Sequence, residues 1–202
     1  MKNNRSVIIL AGGNSDRIGY PKPFLIYNGK SFLQTIVEIY SSAGVKKIFV
    51  VLNKKICNSD WEMHLKPIRP LTTIIENPHS ELGRAYSLKL ALEKMNGIDF
   101  CFIQNADQPF VTKKIIELLW QNRFASGYTS PAFKGKAGHP VLISKLIIEK
   151  LRSEVSYDFN VRHILYQFPV KMVEAGNEKI LWNINTKQDY EKYIHPQAEQ
   201  LV

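Results

Sequence analysis

The sequence predicts an α/β fold: a mostly parallel sheet with helices on both of its faces. Short β-branched runs alternate with stretches of helical period along the first half of the chain. The runs are continuously apolar rather than alternating, as strands buried on two sides are. Glycines or acids stop them, and that marks the strand ends.

"SVIIL" (6–10) is the first such strand, ended by glycines. "SFLQTIVEIYSSAG" (31–44) follows as a helix, with Ser31 suited to cap its start and Gly44 its end. "KKIFVVL" (46–52) and "LTTIIEN" (71–77) read as further buried strands. In "LGRAYSLKLALEKMNG" (82–97), Ala85, Leu88, Leu92 and Met95 share one helical face, and Gly97 stops the run. "DFCFIQNAD" (99–107) is a strand that ends in an acid, and "VTKKIIELLWQN" (111–122) is a helix. The remainder is less regular. "YTSPAF" (128–133) and "HPVLIS" (139–144) read as strands around the turn "KGKAG" (134–138). "KLIIEKLRS" (145–153) and "FNVRHILYQ" (159–167) read as short helices. "PVKMVEA" (169–175) and "KILWNIN" (179–185) read as strands, and "KQDYEKYI" (187–194) as a closing helix. Hairpin-like strands so late in an α/β chain imply a mixed sheet, or a small lobe beside the parallel core.

A chain of 202 residues suits one domain, and 45% hydrophobic with 22% charged residues suits a globular protein. No apolar run reaches the length of a membrane span. The apolar stretch near the N-terminus is too short for a secretory signal, so a cytoplasmic location is expected. Cys57 and Cys101 supply neither a disulfide framework nor a metal pattern. The net charge of +9 favours an anionic partner. The cations are scattered without interleaved aromatics, so no nucleic-acid partner is expected.

The segment with the clearest chemistry is "ILAGGNSDRIGYPK" (9–22). It leaves the carboxyl end of the first strand, where ligands gather in open α/β sheets. Gly12 and Gly13 permit close backbone approach, and exposed N–H groups in such a loop cradle phosphate oxygens. Arg17 and Lys22 add a planar fork and a point charge over a polyphosphate. Neither the P-loop nor the dinucleotide fingerprint matches, and a plain glycine turn with surface cations is the bland alternative.

The longer string "LAGGNSDRIGYPKPFLIYNGKSFLQ" resembles the signature of nucleotidyltransferases that build nucleoside diphosphate conjugates. Leu10, Ala11, Gly12, Gly13, Ser15, Arg17, Gly19, Lys22 and Leu25 fall on it, and Ile18 replaces the usual methionine. Within that superfamily the chain is most similar to the molybdenum-cofactor nucleotidyltransferases. The similarity extends through "NPHSELGRAYSLKLAL" (77–92), "NADQPFV" (105–111), "GHPVLIS" (138–144), "YDFNVRHIL" (157–165) and "WNINTKQDY" (182–190). It implies a Rossmann-like three-layer α/β/α nucleotidyltransferase fold with a mostly parallel mixed sheet. It also implies one domain over 1–202, with a nucleotide-binding half at about 1–110 and an acceptor-binding half at about 111–195.

The implied reaction is attack by an acceptor phosphate on the α-phosphorus of a nucleoside triphosphate, with release of pyrophosphate. Two anions must meet, so positioning and charge neutralisation are the main requirements. Arg17, Lys22 and Asp107 are the expected catalytic residues. Leu10, Ala11, Gly12, Gly13, Asn77, Gly83 and Ser87 join Arg17 and Lys22 as the expected nucleotide site. Asp107 and Asn185 are the expected Mg²⁺ ligands, since Mg²⁺ needs only one or two protein oxygens. His139 and Arg162 are expected on the acceptor side.

Each has a plainer alternative. Asp107 is also placed to cap the following helix, Asn185 to shape a turn, and Ser87 to be a neutral helical residue. His139 is equally suited to a structural role, and Arg162 to a surface ion pair with Asp158. Cytidylyl relatives carry D-I-D-T where this chain has Asn183 and Asn185; guanylyl relatives carry N-x-N-T. "LAGG" also leans to the guanylyl side, whereas "DQP" and "GHPVL" lean to the cytidylyl side. The expected substrates are therefore CTP, or GTP, and molybdopterin cofactor, with a molybdoenzyme or its chaperone as a further partner. A sugar phosphate acceptor and a non-catalytic cofactor carrier are the competing readings. Lys22, Arg17 and Asp107 argue against the carrier, which needs no triphosphate clamp.

Overall fold

The computed structural model describes residues 5–13, 18–57, 60–157 and 159–194. Of the residues singled out above, Ser15, Arg17 and Asp158 lie outside the described residues.

The first strand, β1 (Arg5–Ala11), leads through the glycine loop to a small hairpin of β2 (Ile26–Tyr27) and β3 (Lys30–Ser31). Helix α1 (Phe32–Ser42) begins where Ser31 Oγ accepts from the Gln34 N–H at 3.1 Å. Next come β4 (Lys47–Asn53), a short α2 (Glu62–Leu65), β5 (Thr73–Asn77) and α3 (Gly83–Glu93). Then β6 (Phe100–Asn105) is followed by α4 (Lys113–Gln121), β7 (Tyr128–Phe133), β8 (Lys136–Ala137) and β9 (Val141–Ser144). The chain closes with α5 (Lys145–Ser153), α6 (Val161–Leu165), β10 (Val170–Glu174) and α7 (Lys187–Ile194).

The large sheet has eight strands in the order β10-β7-β9-β6-β1-β4-β5, with β8 added beside β7. Strands β6, β1, β4 and β5 run parallel. β9 runs antiparallel between β6 and β7, and β10 is parallel to β7. The late strands thus join one mixed sheet, and no separate lobe forms around them.

Both faces of the sheet are covered, which explains the unbroken apolar runs. Val7, Ile9 and Ala11 of β1 pack with α1 and α4, while Ile8 and Leu10 pack against α3 and α5. Ala85, Leu88, Leu92 and Met95, the predicted apolar face of α3, are all buried.

One predicted strand does not form. "KILWNIN" (179–185) is a 3-10 turn over Glu178–Leu181 followed by irregular chain. Its apolar alternation is used for burial, but its backbone serves the neighbouring loops. Asn177 Oδ1 caps the turn at Lys179 N, Ile180 O accepts from His139 N, and Ile184 N donates to Asp107 O. Period-two hydrophobicity specifies which side chains go inward; it does not specify a ladder partner.

Candidate active site

β1 has β4 on one side and β6 on the other, so the chain switches direction across the sheet at β1. Ligand crevices form at the carboxyl ends of strands flanking such a switch. Two contiguous hollows open here. A small one of about 190 Å³ is lined by Leu10, Ala11, Gly12, Gly13 and Lys22 from the first loop, with Asp107 opposite. A larger cleft of about 990 Å³ continues from it past Gln108, His139 and Arg162. Leu10, Gly83, Arg84 and Asn105 line both.

Gly12 earns its place sterically. A Cβ there would meet Ser87 Oγ at 2.8 Å and Asn77 Nδ2 at 3.2 Å. Those two side chains are buried and bonded to each other, Asn77 Nδ2 donating to Ser87 Oγ at 2.9 Å. Asn77 Oδ1 also accepts from His79 N. They therefore brace the glycine loop from behind. Ser87 reaches the lining of the small hollow, and Asn77 lines neither hollow. Gly13 is exposed, and nothing lies within 4 Å of a Cβ built on it.

Gly83 is required by its backbone conformation. It opens α3 at φ +77°, ψ −160°, with no atom within 4 Å of a Cβ there. Only glycine visits that backbone region readily. Gly83→Ala is expected to lower stability by about 1–3 kcal/mol in chemical denaturation. An unchanged midpoint would show that the α3 entry relaxes without cost.

Asp107 lies just past β6, in a turn fixed by side-chain amides. Gln104 Nε2 donates to the carbonyls of Asn105 and Gln108, and Asn105 Nδ2 to Gln108 Oε1 at 2.9 Å. The cap of α4 is Thr112, whose Oγ1 accepts from Ile115 N, so Asp107 does not cap that helix. Asp107 Oδ1 is buried and accepts no hydrogen bond. Burial raises its pKa, while Lys22 and Arg84 pull it back down. A sealed, unpartnered carboxylate oxygen facing cations suits a divalent cation brought in by phosphates. Asn185 comes to this site through Lys22, whose Nζ donates to Asn185 Oδ1 at 3.0 Å. Asp189 accepts from the Asn185 and Thr186 N–H groups and holds that turn at the start of α7.

The cleft carries further unmet polarity. Among the described residues, Asp107 Oδ1, Gln108 Nε2, His139 Nδ1 and Ser144 Oγ are buried without a partner, and the first three belong to residues lining the hollows. Burial, with Arg84 nearby, pushes the His139 pKa down to about 4, so it is a neutral imidazole at pH 7. Arg162 is exposed on α6; its Nε donates to Tyr166 Oη and its guanidinium lies 5.3 Å from the Tyr166 ring.

Sequence reading passed over Arg84 and Gln108. Arg84 lies on the wall between the hollows and acts electrostatically on both Asp107 and His139. Its signal was its position directly after a glycine at a helix start, where a cation is unfavourable for the helix and so invites an anionic ligand. Gln108 sat inside the "DQP" motif, but an amide in a turn carries no chemical signature of its own.

The sequence model of the MobA-like NTP transferase domain matches residues 7–172. The molybdenum cofactor cytidylyltransferase of Escherichia coli (strain K12) is 28% identical over 184 residues, covering 91% of this chain and 92% of that one. The crystal structure of Rv0371c from Mycobacterium tuberculosis H37Rv superposes with a TM-score of 0.79 at 19% identity, over 96% of this chain and 100% of that one. A manganese complex of that protein matches with a TM-score of 0.72 at 17% identity, over 96% and 100% of the two chains. Molybdopterin-guanine dinucleotide biosynthesis protein A from Archaeoglobus fulgidus gives 0.66 at 18% identity, over 94% and 97% of the two chains. At these identities the solved structures speak for the fold.

Proposed function

The chain belongs to the MobA-like NTP transferase family and is a nucleotidyltransferase; from that premise we propose that it transfers CMP from CTP to molybdopterin cofactor and releases pyrophosphate. The observation that carries this reading is the set of buried polar atoms without a protein partner on residues that line the two hollows: Oδ1 of Asp107 beside the small one, and Nε2 of Gln108 and Nδ1 of His139 beside the large one. Buried polar groups without protein partners are rare, and beside a cleft they suit a polar ligand.

In this reading the triphosphate lies over the glycine loop, against Lys22, and Arg17 is the second cation assigned to it. Leu10, Ala11, Gly12 and Gly13 offer close backbone approach there, Gly83 lines the same hollow, and Asn77 and Ser87 brace the loop. The acceptor occupies the larger cleft, with its phosphate drawn by Arg84 and Arg162. Gln108 and His139 supply neutral hydrogen bonds to its polar ring edge. An acceptor phosphate oxygen attacks the α-phosphorus, and the bond from that phosphorus to the bridging oxygen of the β-phosphate breaks. Lys22 neutralises the departing pyrophosphate. Asp107 would hold Mg²⁺, joined by the Asn185 amide oxygen once Lys22 Nζ leaves it for the phosphates, and the ion would supply charge neutralisation on the phosphates. The 28% identity to a cytidylyltransferase, together with "DQP" and "GHPVL", favours CTP over GTP. A molybdoenzyme or its chaperone would then take the product. No helix among the described residues is long and apolar enough to cross a membrane.

The test is pyrophosphate release in Mg²⁺ with CTP or GTP, each with and without molybdopterin cofactor. Release that depends on the cofactor and on CTP is the expected result. Release with GTP instead reassigns the base. No release with either nucleotide ends the molybdopterin reading and makes a sugar phosphate the acceptor to try.

A further inference from the structure

Lys89 lies on α3 and is buried. Lysine is seldom buried, and a buried charge needs partners. Those of Lys89 are a carbonyl and a ring: its Nζ donates to the Glu154 backbone carbonyl and lies 4.8 Å from the ring centroid of Tyr157. Glu154 caps the end of α5, where free carbonyls carry partial negative charge and a cation is favoured. The Glu154 carboxylate is itself paired with Lys150 Nζ at 2.6 Å. The tie between the helices is reciprocal. Arg152 of α5 donates to the carbonyls of Leu92 and Met95 at the end of α3.

Past this junction the chain runs as a strap, 154–157, with no helix or strand of its own. Val155 in it is 93% exposed. The strap leads into the wall of the large cleft, lined here by Tyr157, Phe159 and Asn160. The Tyr157 ring is also packed edge-to-face with Tyr86, centroids 5.0 Å apart, and Tyr86 in turn with His79. An aromatic side chain at a cleft wall is thus held by a buried cation from the opposite helix.

We infer that Lys89 is a positioning residue for the acceptor: it anchors the 154–157 strap so that Tyr157 presents a flat wall on which a planar heteroaromatic acceptor stacks. This rests on the assignment of the large cleft to the acceptor made above. Tyr157 lines the large cleft and not the small hollow, so the effect of Lys89 through Tyr157 is expected on the acceptor.

The experiment uses the full chain with Lys89→Met, Lys89→Arg, Tyr157→Ala and the Met/Ala double variant. Pyrophosphate release is measured with molybdopterin cofactor varied at saturating CTP, then with CTP varied. Amide hydrogen exchange is followed over 154–157. Lys89→Met and Tyr157→Ala are expected to raise the acceptor KM about tenfold, the size of a desolvated cation–π or stacking contact. The KM for CTP stays within about twofold, because Tyr157 lines the large cleft and not the small hollow. Lys89→Arg keeps the wild-type acceptor KM, and Lys89→Met speeds exchange across the strap. The double variant is no worse than the weaker single, since both residues act through one contact. Tyr157→Ala lies on an exposed strap, so it gives an answer even if Lys89→Met fails to fold. An unchanged acceptor KM in Tyr157→Ala, or an equal rise in the KM for CTP, overturns the inference. If the wild-type protein releases no pyrophosphate with molybdopterin cofactor, the acceptor reading itself fails and the stacking role falls with it. Strap exchange in Lys89→Met still decides the anchoring role.

Discussion

Lys22→Ala is expected to lower kcat by about 10²- to 10³-fold, the usual cost of removing one charge aimed at a developing phosphate anion. In the proposed mechanism Lys22 takes that role, and two segments far apart in sequence position it. The glycine loop brings it to the small hollow, and Asn185 Oδ1 accepts from its Nζ at 3.0 Å. A second effect separates a catalytic from a structural role. Lys22 is one of the cations that pull the Asp107 pKa down against burial. Without it the carboxyl binds its proton more tightly, so its pKa rises further. The acid limb of the kcat/KM profile therefore moves to higher pH in the variant. Lys22→Arg keeps the charge, and its acid limb stays near that of the wild type. A profile that falls in height with no shift of the acid limb would break the link between Lys22 and Asp107.

Asp107→Asn is expected to cost on the order of 10³-fold in kcat/KM, because the carboxylate that would hold the divalent cation is lost while its shape remains. The melting temperature should not fall. In the folded protein the Asp107 pKa is raised, chiefly by burial. A carboxyl whose folded pKa lies above its unfolded value binds protons more tightly when folded. Its contribution to stability therefore declines as pH rises through that range, and at neutral pH its charge opposes folding. Asparagine removes that opposition. The turn is held by Gln104, Asn105 and the Ile184 N–H to the Asp107 backbone oxygen, all unchanged by the substitution. Titration with Mg²⁺ checks the assignment, and the variant should need far more of the ion for half-maximal rate. Wild-type metal dependence in the variant would move the cation away from Asp107.

The two halves of the site were unequally legible. The glycine loop could be read directly, because its residues are contiguous and their types are unusual together. Gly12 and Lys22 line the hollow that the sequence pointed to. Gly83 lines both hollows, but its +77° φ at the start of α3 could not be read from the sequence. Asp107 was open between helix cap and ligand until Thr112 was seen to cap α4. Arg84 gave no motif, and its importance comes from lying on the wall shared by two hollows.

By itself the sequence determined the seven strands in the main order of the large sheet, the helix faces and the sheet's burial on two sides, because these follow from hydrophobic period and from caps a few residues away. It also pointed to the glycine loop at the small hollow, because the residue types that mark it are local. Tertiary structure decided what depends on contacts distant in sequence. It turned 179–185 from an expected strand into the end of a 3-10 turn and irregular chain, with the Ile180 carbonyl bonded to His139 N and the Ile184 amide to Asp107 O. It brought Lys22 to Asn185 across the chain and left Asp107 Oδ1 sealed without a partner. It also set the Lys89 ammonium against Tyr157. Hydrogen-bond accounting and desolvation act on the whole packed molecule, and no window of sequence contains them.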